Sequence, residues 1–315
     1  MPTLPHLATG RPFLADGGIE TDLIYNHGLD LPMFASFVLL DTDDGRDALR
    51  AYYRPYLDLS RRHATGLVLE TPTWRSNPDW GRALGYGPDA LDRVNRDAVA
   101  FVRALAAEAP EVDVVVSGSV GPRGDGYVVG ERMTAPEAAA YHLPQVSVFA
   151  EAGADLTSTL TMSYAEEAVG FARAAEAAGI PSVVAFTVET DGRLPSGQPL
   201  ADAVRQTDDA TGGAPAYYMV NCAHPTHFAH ILNGVWTGRV RGVRCNTSAC
   251  SHAELDAATA LDDGDPADLA ADHIRLAERL DLAVVGGCCG TDIRHVAAIA
   301  DALLPSVDST YAPRP

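Results

Sequence analysis

Lysine is absent from this sequence: all 23 basic residues are arginine, set against 42 acidic ones. Without a side-chain amine the chain cannot form a Schiff base with a carbonyl substrate or with pyridoxal phosphate, which excludes lysine-dependent aldolase chemistry. Positive charge is scarce overall. A net charge of −19 and a pI of about 4.7 imply a surface that repels nucleic acid and anionic membranes, so small-molecule partners are expected. No apolar run is long enough to cross a bilayer. The start, Met1-Pro2-Thr3-Leu4-Pro5-His6, lacks the basic stretch and apolar core of a secretory signal. Cysteine is sparse, and five in 315 residues is an odd number that suits a reducing cytoplasm better than a disulfide framework. A cytoplasmic protein is expected, with a homo-oligomer left open.

What the chain does have is apolar mass. Hydrophobic residues make up 47% of it and charged residues 21%, enough for a large core and too apolar for disorder. Short β-rich runs alternate with longer helical ones. Strands are expected at 12–16, 66–71, 112–117, 155–161, 182–188, 216–221, 242–246 and 282–286, with the Val, Leu and Thr content of strands buried on both faces. Helices are expected between them, at 46–62, 90–108, 135–152, 164–178, 200–211, 225–232, 266–279 and 293–303. Thr134 with Glu137 reads as a capping box, and Asp265-Pro266 as a cap followed by a first-turn proline. Gly153 and Gly179 stand where left-handed helix stops belong. Eight strand–helix pairs, with no GxGxxG after the first strand, point to a single (β/α)8 barrel spanning residues 1–315.

The unusual residues gather at the carboxyl ends of the expected strands, the face on which barrel enzymes assemble their sites. Asp16-Gly17-Gly18 follows the first, Glu70 ends the second and Ser117-Gly118-Ser119 the third. Asn221-Cys222 ends the sixth, Asn246 the seventh and Cys288-Cys289 the eighth. Three thiols, Cys222, Cys288 and Cys289, can hold one soft metal and leave a coordination position free, the arrangement of a catalytic zinc site. Gly286, Gly287 and Gly290 permit the sharp turn that adjacent ligands require. The helix after them is expected to aim its N-terminal amides at the sulfurs. Cys245 and Cys250 read as packing or loop residues. His224 and Cys250 are the conceivable fourth ligands of a closed structural site. A zinc carrying three thiolates is a poor Lewis acid for hydrolysis but a good place to bind another thiol and keep it nucleophilic, for attack on an activated methyl group.

Four motifs, Asp16-Gly17-Gly18-Ile19-Glu20-Thr21-Asp22-Leu23, Ser117-Gly118-Ser119-Val120-Gly121-Pro122, Asn221-Cys222 and Gly286-Gly287-Cys288-Cys289-Gly290-Thr291, resemble the zinc-dependent homocysteine S-methyltransferases over residues 12 to 303. The resemblance implies a (β/α)8 barrel, Zn2+ held by Cys222, Cys288 and Cys289, and an acceptor amino acid held in part by Asp16 and Gly17. It also implies methyl transfer from an onium-type donor (S-methylmethionine, S-adenosylmethionine or betaine) to homocysteine, giving methionine. The chain departs from the family where the acceptor's amine is gripped. Leu160 stands at the position of a family glutamate, and Asn246-Thr247-Ser248-Ala249 replaces Asn-Ser-Gly-Glu. Glu70 is the expected substitute carboxylate, since a buried ammonium without a counter-charge is costly. Trp74 and Trp80 are candidates to face an onium donor, Glu189 adds a carboxylate to the rim, and Asn246 completes the expected substrate-binding set. The alternatives are the same chemistry on another small thiol, or a metal-dependent hydrolase or lyase on the same barrel.

Overall fold

Eight short parallel strands close into a barrel in the computed structural model, which describes residues 4–305. In chain order they are β1 (Phe13–Ala15), β2 (Leu67–Glu70), β3 (Val114–Val120), β4 (Leu156–Met162), β5 (Ser182–Phe186), β6 (Tyr217–Asn221), β7 (Val240–Cys245) and β8 (Val284–Gly287). Each pairs with the next, and β8 returns to β1 with Phe13 beside Val284 and Leu14 beside Val285. The main helices of the outer ring are α1 (Asp43–Arg62), α2 (Pro88–Ala106), α3 (Ala135–Glu151), α4 (Ala165–Ala178), α5 (Leu200–Thr211), α6 (Pro225–Phe228), α7 (Pro266–Ala277) and α8 (Ile293–Leu303). The (β/α)8 architecture expected from the alternation is the one observed.

The two-residue period of the strands decides what enters the lumen. Phe13, Val68, Val115, Val183, Tyr217 and Val284 fill the inside of the barrel. Their neighbours Leu14, Leu67, Leu69, Val116, Val184 and Val243 face outward into the layer shared with the helices. One period further along each strand the lumen turns polar. Val68 is followed two residues on by Glu70, Val115 by Ser117, Leu156 by Ser158, Met219 by Asn221 and Gly242 by Arg244, all five polar side chains buried. The barrel is therefore dry at its base and charged towards its mouth.

Local signals set the helix ends. Thr42 caps α1 by accepting from the Gly45 N–H, the Thr134–Glu137 capping box opens α3, and Asp265 caps α7. Gly179 ends α4 with a φ of 73°, where a side chain would be strained. Several boundaries differ from expectation. β3 runs to Val120 rather than 117, pairing Ser117 to Val120 with Leu156 to Thr159, because Gly118 leaves the room that the Phe149 ring of α3 occupies. The helix expected at 225–232 is one α turn followed by a 3-10 turn at Ala229–Ile231, since Phe228 adopts a φ of −128° that breaks the α ladder. Short helices at Pro78–Ala83 and His252–Ala257, unanticipated in the β2 and β7 loops, sit over the barrel mouth.

Candidate active site

The strands β6 and β8 end side by side with β7 between them, and this order brings the three cysteines together. The sulfurs of Cys222, Cys288 and Cys289 all lie within 4.8 Å of one another, with Cys222 Sγ and Cys289 Sγ 3.4 Å apart. Thiolates about 2.3 Å from a tetrahedral zinc would stand about 3.8 Å apart, so the spacing fits one such ion. Neither His224 nor Cys250 belongs to the group: His224 bonds Thr226 and caps α6, and Cys250 is exposed. Cys245 points outward into the core layer, as expected of a packing residue.

Cys222 takes up its place in an uncommon backbone conformation, with a φ of 54°. Such a position costs on the order of 1–3 kcal/mol for a residue with a Cβ and persists only when its surroundings enforce it. Here the Cys222 N–H donates to the Arg244 carbonyl at 3.0 Å. Its own carbonyl receives Thr187 Oγ1 at 3.1 Å and lies 2.9 Å from His252 Nε2. Glu189 turns away to His252, 3.0 Å from its Nδ1. Asn221 braces the next layer: its Oδ1 accepts from the Thr161 N–H at 2.7 Å while its Nδ2 donates to Thr161 Oγ1 at 3.0 Å and approaches Cys288 Sγ at 3.8 Å.

The expected help from a helix N-terminus is not seen. Asp292 caps α8 with its own carboxylate, accepting from the Arg294 N–H at 2.8 Å, and so takes up that end of the helix. The thiols instead assist one another. Hydrogen bonds from the Cys222 and Cys289 thiols, reinforced by the Arg244 charge, hold Cys288 well below the usual thiol range against its burial. The same hydrogen bonds push Cys222 well above that range.

Below the sulfurs opens a cavity of about 280 Å³, lined among others by Asp16, Gly17, Glu20, Glu70, Trp74, Arg75, Tyr127, Leu160 and Arg244. Of the substrate-binding residues expected from sequence, Asp16, Gly17, Glu70 and Trp74 line it. Asn246 does not: it is buried beyond the wall, its N–H donating to the Ala223 carbonyl at 3.1 Å. Trp74 and Trp80 have their faces covered by the chain itself. The Arg75 guanidinium lies 4.2 Å from one ring centroid and 3.8 Å from the other, so these indole faces already hold a cation.

Three residues that sequence reasoning missed shape the interior. Arg244, 4% exposed, forms an ion pair with Asp16 and lies 3.9 Å from Glu70. Burial opposes its charge, yet Asp16 and Glu70 hold its pKa above the ordinary value. Tyr127, from the β3–α3 loop, sets its hydroxyl 2.9 Å from Cys222 Sγ and 3.5 Å from Cys289 Sγ, and its ring stacks on His252 at 4.0 Å. Burial keeps this phenol protonated, well above its usual pKa. Glu20, from the irregular loop after β1, is pushed up to about 7 by burial despite a 2.7 Å hydrogen bond from Ser36. Glu70 is likewise pushed up to about 7 by burial, opposed by Arg244 and by Ser117 and Ser158. Arg244 alone offered a signal in the sequence, as a charged residue one lumen position above Gly242 in a buried strand.

Fold and site define a (β/α)8-barrel enzyme organised around a cluster of three thiols above a charged cavity. The chain belongs to the homocysteine S-methyltransferase family, whose family model matches residues 13–303. Its fold is similar to that of the homocysteine methyltransferase MmuM from Escherichia coli. The oxidized form aligns with a TM-score of 0.73 at 22% identity, over 92% of this chain and 95% of that one. The metallated form gives 0.71 at 22% identity, over 94% and 97%. No curated protein matches the chain. No helix among the described residues is long and apolar enough to cross a membrane.

Proposed function

We propose that the enzyme transfers a methyl group from an onium-type donor (S-methylmethionine, S-adenosylmethionine or betaine) to the sulfur of homocysteine, giving methionine, with Zn2+ held by Cys222, Cys288 and Cys289. The observation that carries this reading is the convergence of three thiols, with no imidazole or carboxylate among them, in the wall of a cavity at the barrel mouth. Zinc in such a set supplies the positive charge that keeps an acceptor thiol ionised at neutral pH. The rest falls to the chain. Asn221 and the contacts to the Cys222 carbonyl hold the sulfurs in register. Tyr127, a protonated phenol, covers two of them. Glu20, Asp125 and Asp256 line the approach and favour a cation. A thiolate lone pair forms the new S–CH3 bond, and the electrons of the breaking C–S or C–N bond return to the donor, which leaves neutral. No general base has to act in that step.

A thiol substrate and thiol ligands suit a reducing compartment, which supports a reaction in the cytoplasm. The test is methionine formation by the zinc-loaded protein from homocysteine and each donor in turn, alongside the metal content of Cys288→Ala. Activity and one bound zinc per chain, both lost in Cys288→Ala, are expected. Methyl transfer that survives in a metal-free Cys288→Ala protein, or hydrolysis of esters without transfer to any thiol, would overturn the proposal.

A further inference from the structure

Arg244 carries a nitrogen that nothing among the described residues satisfies. Its Nε donates to the Gly287 carbonyl at 3.1 Å, and its Nη2 to the Asp16 carboxylate and to the Asp16 and Gly17 carbonyls, the last at 3.2 Å. Nη1 has no hydrogen-bond partner. The nearest anion, Glu70 Oε1, is 3.9 Å away, beyond hydrogen-bond reach. Glu70 is itself engaged by Ser158 Oγ, 3.0 and 2.8 Å from its two oxygens. A buried guanidinium N–H without an acceptor is costly, more so than a neutral donor.

The position of Arg244 shows what would complete it. β7 runs between the strands that deliver Cys222 and the Cys288–Cys289 pair, and Arg244 is level with Gly286, two residues below Cys288. Two strand residues span about 7 Å, the reach of a short aliphatic thiol from its sulfur to its far end. The other guanidinium of the cavity wall, Arg75, is set against the Trp74 and Trp80 rings. Asp16 is taken by Arg244 and by Tyr52, whose hydroxyl donates at 3.1 Å, and Leu160 is apolar.

We propose that Arg244 Nη1 anchors the carboxylate of the thiol acceptor, which makes Arg244 the residue that selects a thiol carboxylate over other small thiols. This rests on the reading of the cavity as the acceptor site. Glu70, pushed up to about 7 by burial, can accept a carboxylate as a neighbour in its protonated form. The acceptor's carboxylate thus contributes more to binding than its ammonium does.

The test uses the full-length protein loaded with cobalt(II), in which thiolate-to-metal charge-transfer absorption reports acceptor binding without turnover. The probes are homocysteine, 4-mercaptobutanoate, which lacks the amine, and 3-mercaptopropylamine, which lacks the carboxylate. The amine thiol is expected to bind at least about tenfold more weakly than homocysteine, the effect of losing one hydrogen bond to a charged group. In Arg244→Met the gap between 4-mercaptobutanoate and 3-mercaptopropylamine should close. If that variant fails to fold, Arg244→Lys, which keeps the charge but not the planar fork, should narrow the same gap, and a gap unchanged in a folded Arg244 variant would overturn the assignment. Equal binding of 3-mercaptopropylamine and homocysteine would overturn the anchor while leaving the methyltransferase reading intact. A cobalt spectrum that no thiol alters would remove both.

Discussion

Glu70 sets burial against a cation, and the structure says which wins. Its carboxyl is enclosed at 4% exposure, with Arg244 3.9 Å away and Ser158 donating to it, yet burial lifts its pKa from 4.5 to about 7. A group whose folded pKa is raised binds its proton more tightly in the folded state, so stability falls as pH rises from the unfolded value through the folded one. Relative to Glu70→Gln, which keeps the shape without the charge, the native protein should match the variant below the unfolded pKa of 4.5 and lose about 3 kcal/mol against it by pH 8. Urea unfolding of both proteins, metal-free and in chelator, at intervals across that range isolates the term, because Asp16 and Glu20 titrate in both. A difference that is flat with pH would refute the argument. A difference that turns in favour of glutamate as pH rises would show that Arg244 outweighs burial and that Glu70 is an ordinary ion-paired carboxylate.

Three further outcomes follow from the geometry. Glu70→Gln keeps an uncharged neighbour beside the acceptor's carboxylate, so the acceptor KM near pH 7 should stay close to native in steady-state assays, and a sharp rise would show that ionised Glu70 grips the acceptor's ammonium instead. Gly18→Ala places a methyl group 2.9 Å from the Cys288 carbonyl carbon, a backbone collision of the kind that costs about 1–3 kcal/mol. The variant should bind zinc more weakly in chelator competition, and native affinity would show that the turn yields freely. Asn221→Ala leaves the buried Thr161 N–H, on a residue with a φ of 68°, without the acceptor it now has at 2.7 Å. A loss of about 1–3 kcal/mol in denaturant unfolding is expected, and an unchanged midpoint would show that Asn221 does not enforce that conformation.

The chain order of apolar runs and caps was enough to specify the barrel, because each strand must bury both faces and each helix must pack back onto the sheet. The sulfur trio was legible for a related reason. Cys288 and Cys289 are neighbours between glycines that allow the turn, and Cys222 lies at the end of a strand that can only open on the same face. The lining of the cavity was not legible in that way. Arg244, Tyr127 and Glu20 come from a strand interior, the β3–α3 loop and the irregular segment after β1. Apart from the charge of Arg244 within a buried strand, nothing in their local sequence marks them for one cavity. Asn246, by contrast, looked well placed at a strand end and lies behind the wall, because β7 stops at Cys245 and the residue beyond it turns its N–H to the Ala223 carbonyl and no longer follows the alternation that puts Arg244 in the lumen. Local propensity and patterning determined which elements exist and in what order. Only closure of the barrel decided which distant charges meet in its dry interior and thereby shift one another's chemistry.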